Sequence, residues 1–289
     1  LCYRDFSDEF HDLGDRVKVR KPSVFTAQEF SAADGVAYQD FCEDAVDVAL
    51  DHIATVDARA TAVESATGID DLNRAFIQPA AAALAEKYPH VYAAAGIHPE
   101  DCAGFQDTDL KELRQLLAQP KVVAVGEIGL DYYWEENPPR EFQQAVFRKQ
   151  LALAQELALP VIVHDREAHG DTLDIIREFP GVTGVFHCFS GSPEMAEELL
   201  KRGWYLGFDG PVTYKNARRA PEVAAVTPLN RIVVETDAPY MAPEPVRGRR
   251  NDSRHLPYVI AKLAEWKQVT PEEMTAVTWD NGRRLFRLG

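Results

Sequence analysis

From residue 91 onward, short apolar runs alternate with longer amphipathic stretches, and this alternation narrows the possible folds more than any other feature of the chain. An apolar run of roughly 4–8 residues reads as a strand buried on both faces, and a three-to-four residue period reads as a helix. Their regular succession is the mark of repeated strand–helix units around a parallel sheet. Strands are expected at residues 91–97, 122–128, 161–163, 182–186, 204–208 and 231–234, with helices at 109–117, 140–157, 193–201 and 254–266. Ser192 and Pro193 supply an N-cap and a first helical position for the third of these helices. Closure into a barrel needs two more strands. Residues 23–26 and 52–56 are the candidates, with a helical stretch at 40–50 between them. The expected fold is therefore α/β, a (β/α)8 TIM barrel of parallel strands with outer helices, over residues 23–289, preceded by an extension of residues 1–22.

Composition sets limits on function. With 46% hydrophobic and 27% charged residues, and no apolar run near the roughly 18 residues of a membrane span, no membrane partner is expected. The cysteines Cys2, Cys42, Cys102 and Cys188 are widely spaced, which fits a reducing cytoplasm better than a disulfide framework or a zinc knuckle. A monomer is expected. The formal net charge of −15 repels phosphate backbones at long range. Local remedies stand in Arg247, Arg249, Arg250 and Arg254, and in Lys215, Arg218 and Arg219.

Four residues with metal-binding side chains fall at or just beyond the C-terminal ends of expected strands, the face where barrel enzymes place their chemistry. They are Glu127, His164, His187 and Asp237, separated by 37, 23 and 50 residues, or one, one and two strand–helix units. Any one of them alone would read as a hydrogen-bonded strand-end residue or a turn cap. Four together, each after its own apolar run, point to an open imidazole–carboxylate site for a hydrolytic divalent metal. His98 ends the expected first strand of this series and would face the same mouth. Arg247, Arg250 and Asn251 lie in the loop after the last expected strand, where guanidinium groups can hold phosphate. Tyr132, Tyr133 and Trp134 follow Glu127; base stacking is one reading, and plain packing is expected for at least two of them.

The strings GEIGLDYYW, PVIVHDREAHGDTL, GVFHCFSGS, ETDAPYMAP and RGRRNDSRHLPYV, with AEKYPHVYAAAGIHPED before them, resemble the successive motifs of the TatD family of deoxyribonucleases over about the last 200 residues. The resemblance implies an amidohydrolase-like barrel that hydrolyses DNA phosphodiesters, on single strands or 3′ ends, with one or two divalent metal ions, Mg or Mn before Zn. It also implies that Glu127 bridges two metals, that His164 and His187 hold one, and that Asp237 holds the other and orients the attacking water. Glu127 and Asp237 are thus the expected catalytic residues, and His98, Arg247, Arg250 and Asn251 the expected substrate contacts. The departure is N-terminal. The family's H-x-H pair has no counterpart, nor has the G-x-N arrangement of one of its branches, and Ala27 and Glu29 stand nearest to where the pair would fall. A related barrel hydrolase of esters or amides, and a non-catalytic metal- or nucleic-acid-binding relative with an incomplete two-metal site, are the alternatives.

Overall fold

Six strands pair side by side in chain order, all parallel: β1 (Ala93–Ala95), β2 (Val122–Asp131), β3 (Val161–Arg166), β4 (Gly184–Phe186), β5 (Tyr205–Phe208) and β6 (Ile232–Val234). The computed structural model describes residues 78–288. The extension 1–22, the expected strands at 23–26 and 52–56, the helix at 40–50, and Ala27 and Glu29 lie outside them. An unbroken strand order separates a barrel from a doubly wound sheet, in which the order reverses midway. Successive right-handed crossovers in one direction put every helix on the same side of the sheet. The opposite face is then covered only if the sheet curls toward closure. The fold is that of a (β/α)8 barrel, with six consecutive strands described.

All six expected strands are present, with shifted ends. β2 runs three residues beyond the expectation and β3 also three, because their pairing continues through Ile128↔Val163, Gly129↔His164, Leu130↔Asp165 and Asp131↔Arg166. Glu127 and His164 therefore lie inside strands rather than at their ends. β1 and β4 are shorter than expected, since their flanking apolar residues pack without joining the ladder.

The intervening helices are α1 (Gln78–Lys87), α2 (Asp107–Leu117), α3 (Arg140–Leu157), α4 (His169–Glu178), α5 (Pro193–Lys201), α6 (Arg219–Val226), α7 (Leu256–Lys267) and α8 (Pro271–Phe286). Their starts follow local rules. Ser192 accepts from the Met195 N–H ahead of Pro193, and Thr270 and Glu273 form a reciprocal capping box around Pro271. Phe147 and Leu151 of α3 are fully buried with Ile128 and Leu130 of β2, and with Phe186, Trp204 and Leu206, in one continuous core.

A second constraint comes from peptide groups. Where strand pairing stops, buried N–H and C=O groups still need partners. Two glutamines seven residues apart on α3, hence on one face two turns apart, supply them. Gln150 accepts from Ile97 N at 2.7 Å and donates to Ile97 O at 2.9 Å. Gln143 accepts from Asp131 N at 2.9 Å and donates to Asp131 O at 2.9 Å. The helix thereby fixes the chain next to His98 and the end of β2. At the other edge, Asn281 of α8 donates to Leu229 O and Ile232 O, both at 2.7 Å.

Replacing Gln150 with Leu keeps the volume and leaves two buried peptide groups unpaired. The penalty is about 1–3 kcal/mol for each group. Gln150→Leu is therefore expected to lower the unfolding free energy by about 2–6 kcal/mol at unchanged m value in a urea titration; a change within ~0.5 kcal/mol would contradict the clamp.

Candidate metal centre

One extra residue in β2 aims its acid. Between the pairs Val125↔Val161 and Ile128↔Val163, β2 advances three residues while β3 advances two, a bulge that contains Gly126 and Glu127. Bulges of this kind re-aim a side chain beside a site. Glu127 Oε1 lies 2.8 Å from His164 Nδ1, 3.7 Å from His187 Nε2 and 3.9 Å from His98 Nε2. Burial pushes the Glu127 carboxyl upward, yet His187, His164 and His98 together hold it well below the usual carboxylate range. Close passage of β2 along β3 needs a residue without a side chain. Gly129 has φ +147°, and a Cβ there would run into the His164 carbonyl oxygen.

His164 sits between two acids: Nδ1 faces Glu127, and Nε2 lies 2.9 Å from Asp131 Oδ2. Burial opposes its charge, but Asp131 and Glu127 prevail and raise its pKa to about 9. Asp131 is fully buried and ends β2. His187 follows β4 and repeats the pattern, with Nδ1 at 2.9 Å from Glu235 Oε2, and Nε2 at 3.3 Å from Asp237 Oδ1. Burial works against the charged imidazole, and Glu235 and Glu127 outweigh it, so its pKa lies well above the ordinary value. Glu235 also accepts from the Cys188 N–H at 2.5 Å, and its carboxylate occupies the space a Cβ on Gly207 would need.

Asp237 takes a left-handed backbone (φ +51°), which a short polar side chain tolerates better than most. Its loop is pinned by Asn251, only 2% exposed, which donates to Thr236 O at 2.6 Å and accepts from Asp252 N and His255 Nδ1. Asn251 is thus engaged internally, beside Asp237. Cys188 donates from Sγ to Asp209 Oδ2 at 2.9 Å, and burial raises both groups, Asp209 to about 7.

Among the described residues, two sets of donor atoms, each within 4.8 Å, result: His98 with Glu127 and His164, and His187 with Cys188 and Asp237. The expected grouping of Glu127 with both His164 and His187 is met less evenly, because His187 stands closer to Asp237. Within the first set His98 differs in kind. Its Nδ1 accepts from the Glu100 N–H at 3.3 Å, and burial and His164 hold its pKa down to about 4. A neutral ring with an accepting Nδ1 carries its proton on Nε2, so His98 offers a donor to the mouth. Cys188 is a neutral thiol committed to Asp209. The donors that fit a divalent ion are therefore His164 Nδ1, His187 Nε2 and the carboxylates of Glu127 and Asp237, with Asp131 and Glu235 on the far nitrogens. Acids behind ligating imidazoles are the usual support of such sites.

On the rim, Arg247 stacks on Tyr214 at 4.0 Å, and Arg249, Arg250, Arg254 and His255 line a groove of about 570 Å³. Tyr132 packs inward, with its hydroxyl on Asp171 and Gln144, whereas Tyr133 and Trp134 are exposed, contrary to the expectation that at least two of the three are packing residues. β2 ends before them, so no neighbouring strand covers them. Sequence reasoning passed over Asp131, Glu235 and Asp209. Each had a signal: Asp131 shares the face of Glu127 at four residues' spacing, Glu235 precedes Asp237 by two, and Asp209 directly follows the apolar run of β5.

The chain matches the family described as TatD related DNase over residues 37–287. A Bacillus subtilis relative, an uncharacterized metal-dependent hydrolase YabD, is 44% identical over 207 residues, 71% of this chain and 81% of that one. The 3′-5′ ssDNA/RNA exonuclease TatD of Cronobacter sakazakii is 39% identical over 217 residues, again 71% and 81% of the two chains. The crystal structure of YJJV, a TatD homologue from Escherichia coli K12, superposes with a TM-score of 0.68 at 36% identity, covering 73% of this chain and 82% of that one. The protein belongs to the TatD-related DNase family of metal-dependent hydrolases, on a TIM-barrel fold.

Proposed function

We propose that the protein is a deoxyribonuclease that hydrolyses DNA phosphodiester bonds from the 3′ end of single strands, with Mg or Mn as its working ion. The observation that carries this reading is the convergence of Glu127, His164, His187 and Asp237 in one mouth, with each imidazole backed by its own buried or half-buried acid. The name of the Cronobacter relative supports a nucleic-acid strand as substrate, and the rim arginines favour a phosphate ester over a neutral ester or amide. Mg and Mn bind through one or two carboxylates, here Glu127 and Asp237, with water and a substrate phosphate filling the remaining positions.

A divalent ion held there supplies Lewis acidity toward a phosphoryl oxygen and makes water acidic enough to attack at neutral pH. The remaining work belongs to the chain. Asp131 and Glu235 hold the far N–H groups of His164 and His187, so that each ring turns its other nitrogen into the mouth. Asp237 sets a carboxylate oxygen 3.3 Å from His187, where it orients and deprotonates the attacking water. His98 presents Nε2–H to a phosphoryl oxygen. Arg247, held flat on Tyr214, gives the scissile phosphate or its neighbour a guanidinium edge.

A 5′-labelled single strand incubated with the protein and Mg or Mn should shorten stepwise from its 3′ end, stop on chelation, and stay intact with Glu127→Ala. Folded protein that cleaves no phosphodiester under any divalent ion would overturn the reading, and equal cleavage of an RNA strand would widen it. Asp131→Asn and Glu235→Gln keep size but weaken the hold on each imidazole. Each is expected to lower metal affinity by about 10- to 100-fold in calorimetric titration, and wild-type affinity in either variant would remove that acid from the centre.

A further inference from the structure

Tyr133 and Trp134 stand at the barrel mouth with 51% and 39% of their surface exposed, and nothing in the preceding chemistry uses them. Single exposed aromatics are common and need no explanation. This pair is set apart by how it is held. The rings meet edge to face at 4.7 Å, and the Arg166 guanidinium lies 3.8 Å over Tyr133 and 5.3 Å from Trp134. The Tyr133 N–H donates to Asp131 Oδ1 at 2.9 Å, and Asn137 donates to the same oxygen at 3.1 Å. The other oxygen of that carboxylate is the partner of His164 Nε2. One buried acid therefore fixes both the imidazole of the centre and the backbone under the aromatic pair. The strand register does the rest: Gly129 pairs with His164 and Asp131 with Arg166, so Arg166 lies two residues beyond His164 on the same face of β3. That offset is about 7 Å along a strand, a separation that a single nucleotide bridges.

The ligand class follows from the surroundings. Glu135 and Glu136 come next in the chain and are both exposed, and the whole protein carries −15, so the patch does not favour a phosphate. A nucleobase is neutral and flat, and every base has a face that an aromatic ring can cover. A base within a duplex has both faces covered already. We propose that Tyr133 and Trp134, braced by Arg166, form a stacking platform for an unpaired nucleobase next to the scissile phosphodiester, and that the platform is what makes single strands the substrate. This rests on the nuclease reading for the words "scissile phosphodiester"; the platform itself is a binding site with or without cleavage. It also answers the repulsion set up by the net charge, because stacking draws affinity from a source that charge does not oppose.

Two readouts separate the platform from the nuclease reading. In binding, Trp134 emission is followed while the full-length protein is titrated with an eight-residue thymidine strand in the presence of chelator, and then with the same strand carrying abasic residues at its 3′ end. Base-dependent quenching that disappears in Trp134→Phe is expected. In kinetics with Mg or Mn, the Tyr133→Ala/Trp134→Ala pair should raise KM for the thymidine strand about 10- to 100-fold, the range that stacking of one or two bases provides. Tyr133→Phe should restore most of the loss. On the abasic strand, wild type and double variant should become alike, which a merely structural role would not produce. Base-dependent quenching in a protein that cleaves nothing would leave the platform standing and overturn the nuclease reading. Cleavage without quenching, and with KM unaffected by the double substitution, would overturn the platform alone. The absence of both cleavage and quenching would overturn both. Both side chains are largely outside the core, so their removal does not threaten folding.

Discussion

Like charge crowded into a small space is the constraint on which the rest of this structure depends. Glu127, Asp131, Glu235 and Asp237 surround His164 and His187, with the buried Asp209 close behind. Two like charges about 4 Å apart repel by about 4 kcal/mol at an effective dielectric near 20. A fold tolerates such a cluster only with positive charge among the acids. In the protein alone the imidazoles supply it, which is why their pKa values rise. A divalent cation supplies more charge in less volume and leaves the imidazoles as neutral donors, so binding would release protons. The geometry that strains the protein alone is the geometry that favours the ion, as expected for a site kept for chemistry at some expense of stability.

Packing transmits this arrangement. The carboxylate positions depend on where β2 ends, on a bulge around Glu127 and on a glycine that lets two strands pass closely. The end of β2 is set by Gln143 and the chain before His98 by Gln150, both on the face of α3 that Phe147 and Leu151 lock into the core. At the far side, Asn251 pins the loop of Asp237. Buried amides bonded to strand ends act as spacers: each satisfies peptide groups that the sheet leaves unpaired, and in doing so fixes a residue of the mouth to within a hydrogen bond's tolerance.

The six described strands, and the four side chains Glu127, His164, His187 and Asp237 that meet at the mouth, were legible in the sequence because each announces itself locally, as an apolar run with His, Glu or Asp in or just after it. Strand ends were less legible. β2 and β3 extend each other, and whether Leu130 pairs with Asp165 depends on two segments at once. The same reason hid Asp131 and Glu235 as partners of the imidazoles: their roles exist only once register brings residues 33 and 48 positions apart into contact. Asn251 read as a rim donor because Asn beside arginines looks like a phosphate contact, while its buried place against Thr236 is a tertiary fact. For Tyr132, Tyr133 and Trp134, composition alone favoured packing, and only the termination of β2 left two of the three in solvent.

Crystals of the full chain soaked in manganese and measured at the manganese absorption edge test the central claim most directly. The account predicts an anomalous peak within ligand distance of Glu127, His164 Nδ1, His187 Nε2 or Asp237, with Asp131 and Glu235 still bonded to the far nitrogens. Well-ordered crystals with manganese bound elsewhere, and no peak among these four side chains, would contradict it.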